Sequence, residues 1–248
     1  MPQSPNNHAQ PFSSPTLQLE DERKRLLRAY ESRKEINTPF DFFALYSWQE
    51  RQLKMLKYFR KLGMSSLRES RILDIGCGSG GTLCRLLDFG AEPNNCFGID
   101  LVPKHIQAAR RNHPNFSFVE GSAAQLPFGD EEFDIVHQAT VFTSVLDPNI
   151  RRAIASEALR TLRPGGHLIW YDFAYSNPRN PNVRGIGRNE IRELFKGCHL
   201  EFHRVTLAPP IARPSIRVSI FLCRLLWNFS FLRSHTLCFV QKPIPVAN

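Results

Sequence analysis

The stretch 72–81, ILDIGCGSGG, constrains this chain more than any other ten residues in it. An apolar run that closes on spaced glycines is a strand ending in a loop whose backbone can approach a ligand. A helix following such a loop adds amide donors and a partial positive charge at its N-terminus. Two registers fit the glycines. Gly76, Gly78 and Gly81 match the dinucleotide pattern GxGxxG, while Gly76, Gly78 and Gly80 match a tighter GxGxG loop.

Two acids decide between the registers. Asp100 follows Gly80 by 20 residues and closes the next apolar run, where a carboxylate hydrogen-bonds a ribose diol. Asp74 stands two residues before Gly76, at the carboxyl end of its strand. A pyrophosphate there would be repelled by about 1 kcal/mol or more. S-adenosylmethionine (SAM) carries an ammonium and a sulfonium instead, and suits that acid. The loop reads as a SAM loop.

From Arg71 onward, short apolar runs alternate with helical segments, the rhythm of a parallel α/β sheet. Strands are expected at 71–75, 96–100, 116–119, 133–138, 167–173, 200–206 and 235–241. Helices fit between them near 80–89, 103–112, 148–162, 187–196 and 215–232. The fold class is α/β: a Rossmann-like, doubly wound, mostly parallel sheet of seven strands with an N-terminal helical cap. Residues 1–16, rich in Pro, Asn, Ser and Gln, read as a disordered tail. Residues 17–66 hold two helices, from Leu17 to about Ile36 and from the aromatic cluster Phe40, Phe42, Phe43 to Gly63, and form the cap. Residues 67–242 form the ligand-binding domain.

These segments resemble the class I SAM-dependent methyltransferases over about residues 70–175, and more loosely in the last two strands. RILDIGCGSGG resembles motif I of that family, FGIDLV (97–102) motif II, and VEGSAAQLPF (119–128) the segment after β3. FDIVHQATVF (133–142) and LRPGGHLIWYDF (162–173) resemble the fourth and fifth strands. The resemblance implies SAM as cofactor, with Asp74, Gly76, Gly78 and Gly80 along its methionine part and Asp100 on both ribose hydroxyls. It places Leu101 and Ala123 beside the adenine and Gln138 near the methionine moiety. Ser122 stands where the family commonly has an acid for the adenine amino group, and binds there without charge assistance.

Methyl transfer from a sulfonium is an in-line displacement in which the protein chiefly positions two reactants and excludes water. A base is needed only for a weakly acidic hydroxyl. Asp172 and Tyr171, at the carboxyl end of the fifth strand, are the first candidates for acceptor chemistry, with His137 third. Each has a plainer reading: Asp172 as a loop cap, His137 as a hydrogen-bonded core residue. The polar crossover 175–195 offers Asn177, Asn180, Asn182 and Arg184 to an acceptor, unless its asparagines only satisfy their own turns. Tyr46 and Gln49 are the polar candidates among the N-terminal aromatics. No His/Cys/Asp grouping has metal-ligand spacing, so no metal is expected.

Charge is distributed unevenly. Residues 1–150 hold 17 Lys/Arg against 18 Asp/Glu, whereas residues 202–248 hold 6 against none. A basic end of this kind suits a solvated face, an anionic ligand or an anionic membrane surface. The six cysteines show no CxxC spacing and suit reduced core thiols. With no secretory pattern at the N-terminus, the expected location is cytoplasmic. The apolar stretch 215–232 is interrupted by Arg217 and Arg224 and falls short of a transmembrane span. It is expected to be one helix packed on the sheet. Exposure of part of its apolar face to a hydrophobic acceptor or a membrane surface is the less favoured alternative.

The function expected is methyl transfer from SAM to an oxygen or nitrogen of a small-molecule acceptor, in the manner of secondary-metabolite or sugar-modifying enzymes. A nucleic-acid methyltransferase is the second reading; the basic end favours it, and the missing NPPY or DPPY signature opposes it. A non-catalytic SAM-binding protein is the third.

Overall fold

The computed structural model describes residues 15–31 and 41–245. Residues 1–14 of the expected tail at 1–16 and the break at Thr38, Pro39 and Phe40 lie outside them, whereas 15 and 16 belong to a helix and not to the tail. α1 (Pro15–Glu31) and α2 (Phe42–Lys61) precede β1 (Ile72–Ile75), α3 (Gly81–Leu86), β2 (Cys96–Asp100), α4 (Pro103–Asn112) and β3 (Ser117–Glu120). The second half holds β4 (Phe133–Ala139), α5 (Pro148–Thr161), β5 (Leu162–Phe173), α6 (Arg188–Leu194) and β6 (His199–Leu207). α7 (Pro209–Val218), α8 (Ile220–Trp227) and β7 (Arg233–Gln241) complete it.

The seven strands form one sheet in the order β3-β2-β1-β4-β5-β7-β6. β1 to β5 pair in parallel, and β7 runs antiparallel between β5 and β6. The order reverses between β1 and β4. Ligands bind in the crevice at such a switch point, beyond the carboxyl ends of the strands.

Side-chain alternation sorts the core into two layers. On one face Ile72, Ile135, Ile169 and Tyr171 pack with Met55, Tyr58 and Phe59 of α2, Leu83 and Leu86 of α3, and Ile106 of α4. On the other, Leu73, Val136, Leu168 and Trp170 meet Ile150, Ile154 and Ala158 of α5 and Ile191 of α6, with Leu19 and Leu26 of α1 at the margin. α2 is therefore part of the sheet core. Its Tyr58 ring stacks on Phe239 at 3.9 Å, and its hydroxyl meets His167 Nδ1 at 2.9 Å.

The expected single helix at 215–232 is two helices and a 3-10 turn, beginning earlier at Pro209. Ser219 is extended (φ −164°, ψ 132°), and its hydroxyl accepts from Phe221 N and Leu222 N to start α8. The break puts Arg217 on α7 and Arg224 on α8. The expectation of a packed helix holds for one side only: Cys223 and Trp227 are buried with Leu207 of β6, while most of the apolar side chains of α8 face solvent. Among the described residues, no helix is long and apolar enough to cross a membrane.

Candidate functional site

At the switch point lies a cavity of about 210 Å³, walled by the β1 loop, the ends of β2 and β4, and α1. Gly76, Gly78, Asp100, Leu101, Ser122 and Ala123 line it, six of the nine residues expected to hold a cofactor. Gly78 has φ +55°, and a Cβ built there would project into open space. This is a cradle that any side chain would begin to fill. Gly80 differs: its φ is +87° and a Cβ would strike the Phe118 ring at 2.8 Å. Close packing at the start of α3 demands that glycine.

Asp100 holds the loop together. Its Oδ2 accepts from Gly78 N and its Oδ1 from Val102 N, each at 2.9 Å, and His105 Nδ1 lies 3.1 Å from Oδ1. Carboxylate oxygens have lone pairs to spare, so these bonds orient the group and leave capacity for a diol.

Asp74 lies behind the loop, buried, with His137 Nδ1 at 2.7 Å from its Oδ1. Gln138 faces the opposite layer. Its Oε1 accepts from Val141 N at 3.3 Å and its buried Nε2 has no partner. The neighbours Ala139, Thr140 and Val141 reach the cavity in its place. Thr140 is held at φ +59°, a costly conformation for a β-branched residue, and its N–H donates to Tyr171 O at 2.8 Å. Nothing in the sequence signals that turn.

α1 closes the cavity from the solvent side. Glu22 accepts from Leu146 N at 2.6 Å, Arg25 donates to Ser144 O, and the Tyr30 hydroxyl meets Ser144 Oγ at 3.3 Å. Glu22 is held below the usual carboxylate range; burial opposes this, but bonds from Arg25 and Leu146 outweigh it.

The candidates for acceptor chemistry separate by layer. Asp172 is buried on the α5 face, accepting from the Thr143 hydroxyl, from Thr143 N at 3.2 Å and from Phe173 N at 2.9 Å. Burial raises its carboxyl to about 7 against the pull of these bonds. The side chain anchors the segment after β4 rather than capping the loop that follows its own strand. Tyr171 points to the α2 face, its hydroxyl 2.9 Å from Thr206 Oγ1 and its ring stacked on His235 at 4.7 Å. Burial pushes that phenol up.

Arg51 of α2 went unnoticed in the sequence. Its guanidinium carbon lies 4.1 Å from the Tyr171 ring centre and 4.9 Å from that of Trp48, while Arg85 stands 4.9 Å from the same Trp48 ring. The buried Nε of Arg51 has no hydrogen-bond partner. Asp74 and Glu50 are close enough to act on it, yet Asp74 is engaged by His137, and Glu50 by Thr206 N and Arg233. Burial lowers its pKa. A desolvated cation whose neighbouring carboxylates are committed elsewhere suits an anionic ligand group.

None of the expected acceptor residues, Asp172, Tyr171 and His137 included, lines the cavity. Tyr46 packs on Trp227 at 4.7 Å, and Gln49 is exposed on α2. Asn177 and Asn180 accept from Arg179 N and Asn182 N, closing their own turns at 3.0 and 3.1 Å. Arg184 donates to both oxygens of Glu190, at 2.6 and 2.7 Å.

Comparison with known proteins bears on the same segment. Residues 72–166 match the family model described as a methyltransferase domain. Over these residues the chain is similar to methyltransferase domains. A phthiotriol/phenolphthiotriol dimycocerosates methyltransferase of Mycobacterium leprae is 38% identical over 151 residues, covering 56% of this chain and 54% of that protein. An uncharacterized methyltransferase of Synechocystis is 36% identical over 117 residues, covering 46% and 53%. The chain thus spans about half the length of these relatives. A protein of Pyrococcus horikoshii shares the fold with TM-score 0.60 at 18% identity, over 87% of this chain and 98% of its own. The [4+2]-cyclase SpnF shares it with TM-score 0.56 at 18% identity, over 92% and 96%.

Proposed function

We propose that this chain is a SAM-dependent methyltransferase whose acceptor is a small, largely apolar molecule bearing a hydroxyl group. The observation that carries the reading is Asp100: tied to Gly78 N and Val102 N, it opens onto the cavity beside a glycine whose side-chain position is empty space. Asp100 would hold the ribose hydroxyls, with Leu101, Ala123 and Ser122 around the adenine. Gly76 and Gly78 would let the methionine part pass toward Arg51, a desolvated cation outside the residues that line the cavity. SAM supplies a methyl group already activated on a sulfonium.

The chain's own contribution is placement and exclusion of water. Asp74, fixed by His137, sets a negative charge behind the loop and makes His137 a positioning residue. Tyr171 and Trp48 are buried outside the cavity lining, packed around Arg51 on the α2 side. α1 shields the adenosine end. The names of the mycobacterial relatives, which specify a triol, support oxygen over nitrogen as the methylated atom. Cavity and fold together favour turnover over mere binding, although SpnF carries a different reaction in its name on the same fold.

Isothermal titration with SAM, followed by assay of S-adenosylhomocysteine release against a panel of hydroxylated lipids, phenols and sugars, tests the reading. It expects SAM binding, and release only with an apolar alcohol or phenol present. Absence of SAM binding overturns it.

A further inference from the structure

We infer that the outer face of α7 and α8 is a docking surface for an anionic lipid bilayer. Val218, Phe221, Leu225 and Phe231 are 77%, 78%, 59% and 75% exposed, and Phe229 is exposed with them. With Ile220 and Leu222, seven exposed large apolar side chains fall within fourteen residues and amount to a patch, and patches of this kind mark interaction sites. α8 has few other options. Its Cys223 and Trp227 already hold it to the body, Trp227 against Phe43 and Tyr46 of α2. The remaining Ile220, Phe221, Leu222 and Leu225 are left facing water.

Charge selects the occupant. Arg213, Arg217 and Arg224 are exposed around the patch and make no ion pair among the described residues, and residues 202–248 contain no acid at all. A second copy of the same face would bring these arginines against one another. An anionic headgroup layer would neutralise them, while the phenylalanines enter the acyl boundary. The break at Ser219 lets two short helices present their apolar tips together, followed by the 3-10 turn Ser230–Leu232 that carries Phe231. The chain would lie on the membrane without spanning it. This inference is independent of the acceptor.

Co-sedimentation with vesicles tests it, using phosphatidylcholine alone and phosphatidylcholine containing phosphatidylglycerol, at low and high salt. The protein is expected in the pellet with anionic vesicles at low salt, with weaker binding at high salt and on neutral vesicles. Arg217→Glu with Arg224→Glu should lower partitioning by roughly tenfold or more. Phe221→Ser with Phe231→Ser should lower it as far, and neither pair touches the core, so circular dichroism and SAM affinity stay as in the parent. Retention in the supernatant under every condition overturns the inference, as does equal, salt-independent binding to neutral vesicles. Concentration-dependent dimerisation lost in the phenylalanine variant, without pelleting, assigns the face to a second copy and overturns it as well.

Discussion

His137 Nδ1 and Asp74 Oδ1 stand 2.7 Å apart on neighbouring strands, where solvent scarcely reaches either. Parallel pairing puts the two residues at the same level of β1 and β4 and on the same face. The acid beside the glycine loop is thereby held still from within the sheet. A carboxylate in that place without a donor would carry a large desolvation cost.

His137→Leu fills the space but strands Asp74. Removing one partner of a buried charged hydrogen bond costs about 3 kcal/mol, and urea unfolding should report a loss near that size. Unchanged stability would show that Asp74 relaxes to solvent and that the pair matters little.

Asp100→Ala removes a charge-assisted ribose contact and the tether of Gly78 N. SAM affinity should fall by roughly tenfold to a hundredfold, read by calorimetry on a variant whose circular dichroism matches the parent. Gly78→Val should abolish binding altogether, since its branched side chain enters the cradle at a φ it tolerates poorly. SAM binding retained by the valine variant would make the loop a structural turn and nothing more.

The sheet was legible because each strand announces itself as an apolar run closed by a turn, and the switch point follows from where the glycines stop β1. The errors are physical as well. Ser219 looks like an ordinary residue of an apolar helix, yet its extended backbone ends α7 and its hydroxyl caps α8. Arg51 reads as one more charge on an amphipathic helix; only the fold sets it between Trp48 and Tyr171. Asn177 and Asn180 look like ligand groups, and serve their own backbone turns instead. Asp172 could be placed at the right end of the right strand, but strand alternation turns it to the α5 face.

Arg51→Met separates function from stability. The thioether keeps the packing between the two rings and removes a desolvated charge, so thermal stability should hold or rise. SAM affinity should drop by roughly tenfold, the worth of one charge-assisted contact. A variant that loses stability while keeping SAM affinity would make Arg51 a packing residue held by its aromatic neighbours.

The last prediction concerns acid. His235 is buried against Tyr171 and Phe173, and burial, helped by the charge of Arg51, depresses it from 6.5 to about 3. In the unfolded chain it protonates near its ordinary value, so between those limits the unfolded state binds the extra proton. Stability therefore falls as pH drops below 6.5, and this loss belongs to His235. Asp172 acts in the opposite sense: raised to about 7 from 3.8, it binds its proton first in the folded state and gains stability over much of the same range. The two effects oppose each other in the parent protein, and the lowered His167 and His203 add to the side of His235. His235→Gln removes one of them. The stability difference between parent and variant should then shift by about 2 kcal/mol against the parent from pH 7 to pH 5, as paired urea titrations would show. A difference that stays constant over that range would mean that His235 takes up its proton in the folded protein and that its stacking on Tyr171 opens to water.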